Sequence, residues 1–148
     1  MKPIAVTAKL AVAPQPKLSD FQEFRRSGFT TVVNNRPDGE DPTQLGSAVE
    51  AEAARAAGLG YVHIPVTTMG MTEQDARLLK ETIEQAPGPV VAHCRSGARS
   101  FYLWVLSGDL DSLSDEELLA KARELGVDTN AARAWLAAHR NGSAGDHK

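Results

Sequence analysis

The sequence is poor in cysteine, in charge of one sign and in long apolar runs. Cys94 is the only cysteine among 148 residues, so the chain forms no internal disulfide, and a lone thiol of this kind is typical of a reducing cytosol. No cluster of zinc ligands surrounds it, and we expect neither a metal nor another cofactor. No apolar stretch approaches the roughly 18 residues of a membrane span. We therefore expect a cytoplasmic protein without a membrane partner.

The charge balance argues against nucleic acid as a partner. The formal net charge is −3, which leaves no basic surface of the kind that binds nucleic acid. Hydrophobic residues make up 42% and charged residues 24% of the chain, as in ordinary globular domains. The length fits one domain. We predict a single domain over residues 1–140 and a disordered tail over 141–148.

Apolar periodicity indicates strands that alternate with helices. The predicted strands lie within 4–12, 29–35, 61–66 and 90–93, and the predicted helices within 17–28, 43–58, 72–86, 99–108, 114–125 and 129–139. Ser19 with Gln22 and Ser114 with Glu117 are interpreted as capping boxes. The segment EAEAARAA at 50–57 is interpreted as a solvated helix face. This order predicts an α/β fold with a mostly parallel central sheet flanked by helices.

The segment CRSGARS at 94–100 follows an apolar strand and precedes a helix. Backbone N–H groups at such a turn favour an anion, and the same field stabilises a thiolate on Cys94. Gly97 permits a positive φ, Arg99 can bind an oxyanion with both arms of its guanidinium, and Ser100 can donate to the sulfur. We predict Cys94, Arg99 and Ser100 as catalytic, with anion contacts from Arg95, Ser96, Gly97, Ala98 and Arg36. The alternative is that Cys94 is a buried packing residue.

A second loop, NNRPDGEDP at 34–42, also leaves a predicted strand. The carboxyl ends of parallel strands meet at one edge of a sheet, so Arg36 is either a second anion contact or the partner of an acid in its own loop, Asp38, Glu40 or Asp41. The loop PVTTMGMT at 65–72 contains no carboxylate. Glu73 and Asp75 follow it, and we interpret both as first-turn helix residues.

The cysteine loop resembles those of two enzyme classes. Its histidine-cysteine and arginine-serine pairs are similar to the phosphate loop of protein tyrosine and dual-specificity phosphatases, which place one more residue between cysteine and arginine. Four residues separate Cys94 from Arg99, the spacing of rhodanese-type sulfurtransferases. The order of LAVAPQPKLSDFQEFRRSGFTTVVNNRPDGE, AAGLGYVHIPVTTMGMT and the cysteine loop, over roughly residues 3–108, resembles the phosphatase-like domain of bacterial beta-lactamase-hydrolase-like proteins.

This resemblance implies a dual-specificity-phosphatase fold and leaves the chemistry open. The short loop and the absent acid favour a sulfurtransferase, in which Cys94 takes sulfane sulfur from thiosulfate or a persulfide and passes it to a small thiol. Because no second cysteine can resolve the persulfide, the acceptor is external, and glutathione fits. The family further implies a persulfide dioxygenase partner.

Two alternatives stay open at this point. The first is a phosphatase that acts on an anionic phosphate substrate through a phosphocysteine. The second is a non-enzymatic module that binds an anion or a partner at the same loop. Both keep the loop at Cys94 as the binding site, and they differ in whether the thiolate forms a covalent bond.

Overall fold

The computed structural model describes the backbone of residues 2–109 and 113–146 and the side chains of 2–108 and 113–140. In chain order its strands and helices are β1 Ile4–Ala5, β2 Leu10–Ala13, α1 Leu18–Arg26, β3 Thr31–Asn34, α2 Ser47–Ala56, β4 Gly60–His63, α3 Glu73–Gln85, β5 Val90–His93, α4 Ala98–Trp104, α5 Asp115–Glu124 and α6 Thr129–Asp146. A segment over Val105–Asp109 continues α4 with π-helical hydrogen bonds and is kinked at Gly108, whose φ of +158° is not helical. In the part of the chain described, no helix is long and apolar enough to cross a membrane.

The strands form one sheet in the order β1-β2-β5-β3-β4. Only β1 is antiparallel; β2, β5, β3 and β4 run parallel to one another. Strands β2, β3 and β5 are buried along their whole length, as strands covered by helices on both faces are. The predicted α/β fold with a mostly parallel sheet is confirmed.

Two apolar clusters pack on opposite faces of the sheet. Because successive strand side chains point to opposite faces, Val32 belongs to the cluster that contains Phe21 and Phe24 of α1, whereas Val33 belongs to the cluster that contains Leu79 and Phe101. The second cluster also holds side chains of α5 and α6, so the last two helices are part of the same core. These helices therefore cover the sheet rather than forming a separate unit.

The register of the central strand positions the site. His93 at the end of β5 lies beside Ala13 at the end of β2 and beside Asn34 at the end of β3. The segments that leave these three strands consequently start at the same edge of the sheet. They contain Gln15, Cys94 and Arg36.

Three helix ends differ from the sequence-based expectation. Helix α1 begins after Lys17, whose N–H donates to Asp20 Oδ2 at 2.8 Å, so the expected capping box of Ser19 with Gln22 is wrong. Helix α2 starts at Ser47, because Gly46 before it has a φ of +84°, which is not helical. Helix α6 continues to Asp146, so the backbone is helical over 141–146, where we expected a disordered tail, and 147–148 lie outside the described residues.

Candidate functional site

Cys94 lies at the carboxyl end of the central strand, and its side chain is fully buried. The chain turns back over it, so that the N–H of Gly97 donates to the sulfur at 3.0 Å. Gly97 has a φ of +102°, a conformation that other residues adopt only with strain. An added Cβ would make only an ordinary contact, 3.5 Å from a methyl carbon of Val12, so the φ is the reason for glycine here. The turn thus requires glycine, and it aims a backbone donor at the sulfur.

The guanidinium of Arg99 interacts with this sulfur and is held by Glu40 and Val66. Its Nη1 donates to Glu40 Oε2 at 2.7 Å and its Nη2 to Glu40 Oε1 at 2.9 Å, while Nη1 also donates to the carbonyl of Val66 at 3.2 Å. The hydrogen bond from Glu40 raises the pKa of Arg99, and the charge and hydrogen bonding of Cys94 add to the rise. One edge of the guanidinium is therefore occupied by a carboxylate, and the group remains charged next to the sulfur.

Glu40 joins two arginines. Besides Arg99, it accepts from Nε of Arg36 at 3.0 Å. The hydrogen bond from Arg99, assisted by Arg36, lowers the pKa of Glu40 to about 2. Arg36 is 4% exposed, and its Nη1 donates to Gln15 at 3.1 Å. Of the two possibilities for Arg36, the pairing within its own loop is the one seen here, and Glu40 connects that pair to Arg99.

Ser100 makes a different contact from the one predicted. Its hydroxyl donates to Asn35 Oδ1 at 2.8 Å, so its single proton is not directed at Cys94 in this structure, and the expected donation to the sulfur is not made. Asn35 is fully buried; its backbone N–H donates to the carbonyl of His93 at 2.7 Å and its Nδ2 to that of Ile64 at 3.0 Å. Ser100 and Asn35 therefore tie the start of α4 to two strand ends.

A cavity of about 660 Å³ opens beside the cysteine loop. Three cationic residues, Lys17, Arg36 and Arg95, line it together with one acid, Asp41. Arg95 is exposed, which places it in the cavity wall rather than around the sulfur. Ser96 is also exposed, and its hydroxyl accepts from the N–H of Ala98 at 3.4 Å. The surroundings of the loop thus favour anions over cations.

Two acids and a glutamine at the site were not predicted from the sequence as functional residues. Glu50 is 1% exposed and pairs with the buried His93 through Oε1 and Nε2 at 2.7 Å, so the interpretation of 50–57 as a solvated face is wrong at this position. Gln15 donates to the same carboxylate at 2.8 Å. Gln15 follows β2 at the same edge of the sheet where Cys94 follows β5. This position is the feature of the sequence that could have identified Gln15 as a residue of the site. From the sequence, Glu40 was predicted only as one possible partner of Arg36.

No carboxylate lies in the loop between β4 and α3. Thr67 Oγ1 accepts from the N–H of Gly70 at 3.0 Å, and Asp75 caps α3 by accepting from the N–H of Thr72 at 3.1 Å. The interpretation of Asp75 as a helix residue agrees with this cap. Among the side chains described, those of residues 2–108 and 113–140, no group of three His, Cys, Asp or Glu is arranged to hold a metal ion.

The comparisons with other sequences give one family. The sequence model described as "Beta-lactamase hydrolase-like protein, phosphatase-like domain" matches residues 4–111. A beta-lactamase hydrolase-like protein of Agrobacterium fabrum is 41% identical over 139 residues, which is 92% of this chain and 32% of that protein. The chain thus spans about a third of the length of this curated relative.

Solved structures of similar fold are described as phosphatases. A candidate phosphatase of Neisseria meningitidis is 29% identical, with a TM-score of 0.83 over 92% of this chain and 96% of that one. TpbA of P. aeruginosa, solved with pTyr, has a TM-score of 0.60 at 14% identity, covering 88% of this chain and 87% of that one. At that identity, TpbA shows the shared fold alone.

The ion pairs that join Glu40 to Arg36 and Arg99 form a bridge between two arginines. This bridge predicts a stability that depends on pH. The pKa of Glu40 is lowered to about 2 from its usual 4.5, so the bridge contributes fully above pH 4.5 and is lost as the pH falls from 4.5 towards 2. We expect Glu40→Gln to lower the free energy of unfolding by about 1–2 kcal/mol at pH 7, and this gap to shrink between pH 4.5 and 3. Urea unfolding at pH 7, 4.5 and 3 measures it.

Glu52→Gln is the matched control. Glu52 pairs with Arg55 on the surface, with exposed fractions of 66% and 74%, and exposed pairs of this kind contribute little. We expect no measurable gap for this variant at any of the three pH values. A Glu40→Gln gap that stays constant from pH 7 to pH 3 would contradict the assignment of the bridge.

Proposed function

The chain belongs to the phosphatase-like domain family of beta-lactamase hydrolase-like proteins, and on this premise we propose that it is a thiolate-dependent phosphatase with Cys94 as its nucleophile. The observation that carries the proposal is the sulfur at the end of the central strand, with the Gly97 N–H at 3.0 Å and the Arg99 guanidinium beside it. The phosphatases among its structural relatives support a hydrolase of this kind.

The reaction follows from these groups. The thiolate of Cys94 attacks phosphorus, the ester P–O bond breaks, and the leaving oxygen takes the bonding electrons, which gives a phosphocysteine. Water then attacks phosphorus, the S–P bond breaks and its electrons return to the sulfur as thiolate. The products are the leaving group as its anion, a phenolate or a phosphate, and inorganic phosphate, which carries the protons of the attacking water until solvent takes one. The Arg99 guanidinium and the loop amides stabilise the charge on the equatorial oxygens during both steps.

The available acids restrict the substrate. A general acid protonates the leaving oxygen in reactions with poor leaving groups, but the loop over 65–72 carries no carboxylate. Glu40 is held ionised by two arginines, with a pKa of about 2. We therefore propose substrates whose leaving group departs without protonation, such as aryl phosphates or phosphoanhydrides, rather than alkyl phosphates.

The cavity beside the loop supports an anionic substrate. Arg36 is paired with Glu40, so it adds little free charge to the walls. Lys17 and Arg95 still outnumber Asp41 there, which makes the local charge positive although the net charge of the chain is −3. An anion that approaches Cys94 from this side meets cationic groups first. The local charge also disfavours a cationic substrate.

Sulfur transfer is the second candidate, because only four residues separate Cys94 from Arg99. The thiolate would attack the sulfane sulfur of thiosulfate, breaking the S–S bond and releasing sulfite with the bonding electrons. An external thiolate such as glutathione would then take the outer sulfur from the Cys94 persulfide and restore the thiolate. Sulfite leaves without protonation, so this route also needs no acid.

A paired assay separates the two candidates. We expect wild-type protein to hydrolyse p-nitrophenyl phosphate in a vanadate-sensitive manner, and Cys94→Ser to be inactive because it lacks the thiolate. Intact mass after incubation with thiosulfate reports the other route as a gain of one sulfur atom that glutathione removes. That gain, without phosphate release, would replace the phosphatase by the sulfurtransferase. Phosphate binding to Cys94→Ser, with no turnover in either assay of wild-type protein, would leave an anion-binding module.

The guanidinium of Arg99 should contribute to kcat/KM. We expect Arg99→Ala to lower kcat/KM for p-nitrophenyl phosphate by roughly tenfold to a hundredfold, the equivalent of losing a charged hydrogen bond of about 1.5–3 kcal/mol. Arg99→Lys keeps the charge without the planar pair of donors and should recover part of the loss. Equal activity of Arg99→Ala and wild type would exclude Arg99 from the site.

Asp75 tests whether an acid has been overlooked. We expect Asp75→Ala to lower the free energy of unfolding by roughly 0.5–1 kcal/mol, through loss of the α3 cap, and to leave turnover of p-nitrophenyl phosphate unchanged. Glu73→Ala, in the same helical turn and exposed, is the matched control and should change neither quantity. A large loss of turnover in Asp75→Ala, with a normal unfolding curve, would identify Asp75 as the acid.

A further inference from the structure

We infer that the substrate carries an extended apolar leaving group, which lies in a groove between α1 and α2, and that Leu18 selects for it. The groove continues the cavity beside the cysteine loop. This inference rests on the proposed function, because the anionic end of the substrate must be held at that loop. Within the proposed range of substrates, it favours aryl phosphates with a large apolar body over phosphoanhydrides.

The groove between α1 and α2 has a volume of about 480 Å³. Among the described residues that line it, Glu52 alone is charged, and Glu52 is paired with Arg55 on the surface. A concave and mostly apolar surface of this kind is typical of ligand sites. The lining residues are Leu18 of α1 and Ala48, Val49, Glu52, Ala53 and Ala56 of α2.

Two large apolar residues of the groove are exposed and do not belong to the core. Leu18 is 48% and Val49 46% exposed, and neither is part of the two apolar clusters that the described residues form on the sheet. Single exposed apolar residues are common on proteins, but these two come from different helices and line the same groove. Their apolar surface is therefore available to a ligand.

Leu18 connects the groove to the candidate site. It lines the groove and also the cavity beside the cysteine loop. The same cavity is lined by Lys17 and by Arg95, which directly follows Cys94 in the chain. A ligand with its anionic end at the loop can therefore place the rest of its length against Leu18 and continue into the groove.

The groove follows α2 from its start. Leu45, two residues before this helix, lines the cavity. Val49, Ala53 and Ala56 lie on one face of the helix, because they are four and three residues apart. At about 1.5 Å per residue, this row is roughly 10 Å long. The groove thus has room for an apolar body of two linked aromatic rings beyond the cavity.

The geometry of the proposed reaction directs a leaving group away from the thiol. In-line attack by Cys94 places the leaving oxygen opposite the sulfur, so an aryl group on that oxygen extends away from the loop. In the groove this group gains from the burial of apolar surface. The phosphate released from an anhydride would instead bring charge to an apolar surface, next to the carboxylate of Glu52.

Two phosphonates measure the groove without turnover. A phosphonate has a P–C bond in place of the ester P–O bond and is not hydrolysed. Methylphosphonate therefore reports on the anionic end alone, and biphenyl-4-ylphosphonate adds two aromatic rings. We expect calorimetry on wild-type protein to show that the biphenyl compound binds about tenfold or more tightly than the methyl compound, and that inorganic phosphate displaces it.

Substitutions in the groove test the role of Leu18. We expect Leu18→Ser to lower the ratio of the two affinities by about fivefold, because it removes apolar surface where the cavity meets the groove. Val49→Ser should lower the ratio in the same direction. Leu78→Ser is the matched control and should keep the wild-type ratio. Leu78 is 43% exposed on α3, a helix that packs on the opposite face of the sheet from α1 and α2.

Several outcomes of the binding experiment would overturn the inference. They are equal affinities of the two phosphonates for wild-type protein, no binding of either, a biphenyl compound that phosphate does not displace, and a folded Leu18→Ser with the wild-type ratio. None of these measurements uses the reaction of Cys94. Failure of the phosphatase assay therefore leaves the binding result to decide the groove.

Kinetics provide a second readout if the proposed function holds. Phenyl phosphate and biphenyl-4-yl phosphate release phenols of similar acidity and differ mainly in apolar length. We expect kcat/KM for the biphenyl ester to be about tenfold or more higher in wild-type protein, through a lower KM, and Leu18→Ser to lose most of this preference. Equal kcat/KM values for the two esters would contradict the inference.

A second copy of the chain is the other occupant that these experiments can reveal. Sedimentation velocity would then show a dimer that Leu18→Ser dissociates, and the two phosphonates would bind wild-type protein equally well. That combination would assign the groove to an interface between copies and overturn the inference. A monomer with the expected affinity ratio supports a substrate in the groove.

Discussion

The site depends on the parallel register of β5 with its two neighbours. Because His93 stands beside both Ala13 and Asn34, the segments that follow three strands begin at one place. The residues that meet there come from distant parts of the chain and anchor one another: the backbone N–H of Asn35 donates to the carbonyl of His93, and the side chain of Gln15 donates to Glu50. A shift of one residue in this register would turn each of these strand side chains to the opposite face and separate the thiol from its partners.

Two acids near the loop are held by other side chains of the site. Glu40 is shared by Arg36 and Arg99, and Glu50 is shared by Gln15, Tyr61 and His93. A carboxylate that binds two arginines is held in its ionised form, so Glu40 serves poorly as an acid near neutral pH. Glu40 therefore orients the guanidinium of Arg99 and leaves the departing group unassisted.

The fold and the cysteine loop could be predicted, but the network around them could not. The strands at 31–34 and 90–93 and the capping residues Thr72 and Ser114 carry local signals, either β-branched runs or side-chain caps. The burial of Glu50 depends on partners 43 and 35 residues away in the chain, and no local pattern encodes these. In an alanine-rich helix, a buried and an exposed glutamate look the same. For Ser100, the competing acceptor Asn35 lies 65 residues earlier.

The two candidate chemistries share one requirement that the structure explains. Sulfite, a phenolate and a phosphate released from an anhydride all leave as stable anions, whereas an alkoxide needs a proton at the moment of bond cleavage. A charged guanidinium and a directed amide stabilise charge on the transferred group, but acids whose pKa is lowered, such as Glu40 and Asp41, do not supply a proton to an alkoxide. Under either proposed chemistry, the leaving group would therefore limit the range of substrates more than the atom that is attacked. The loop between Cys94 and Arg99 is four residues long. Its length then limits the size of the transferred group that fits over the sulfur.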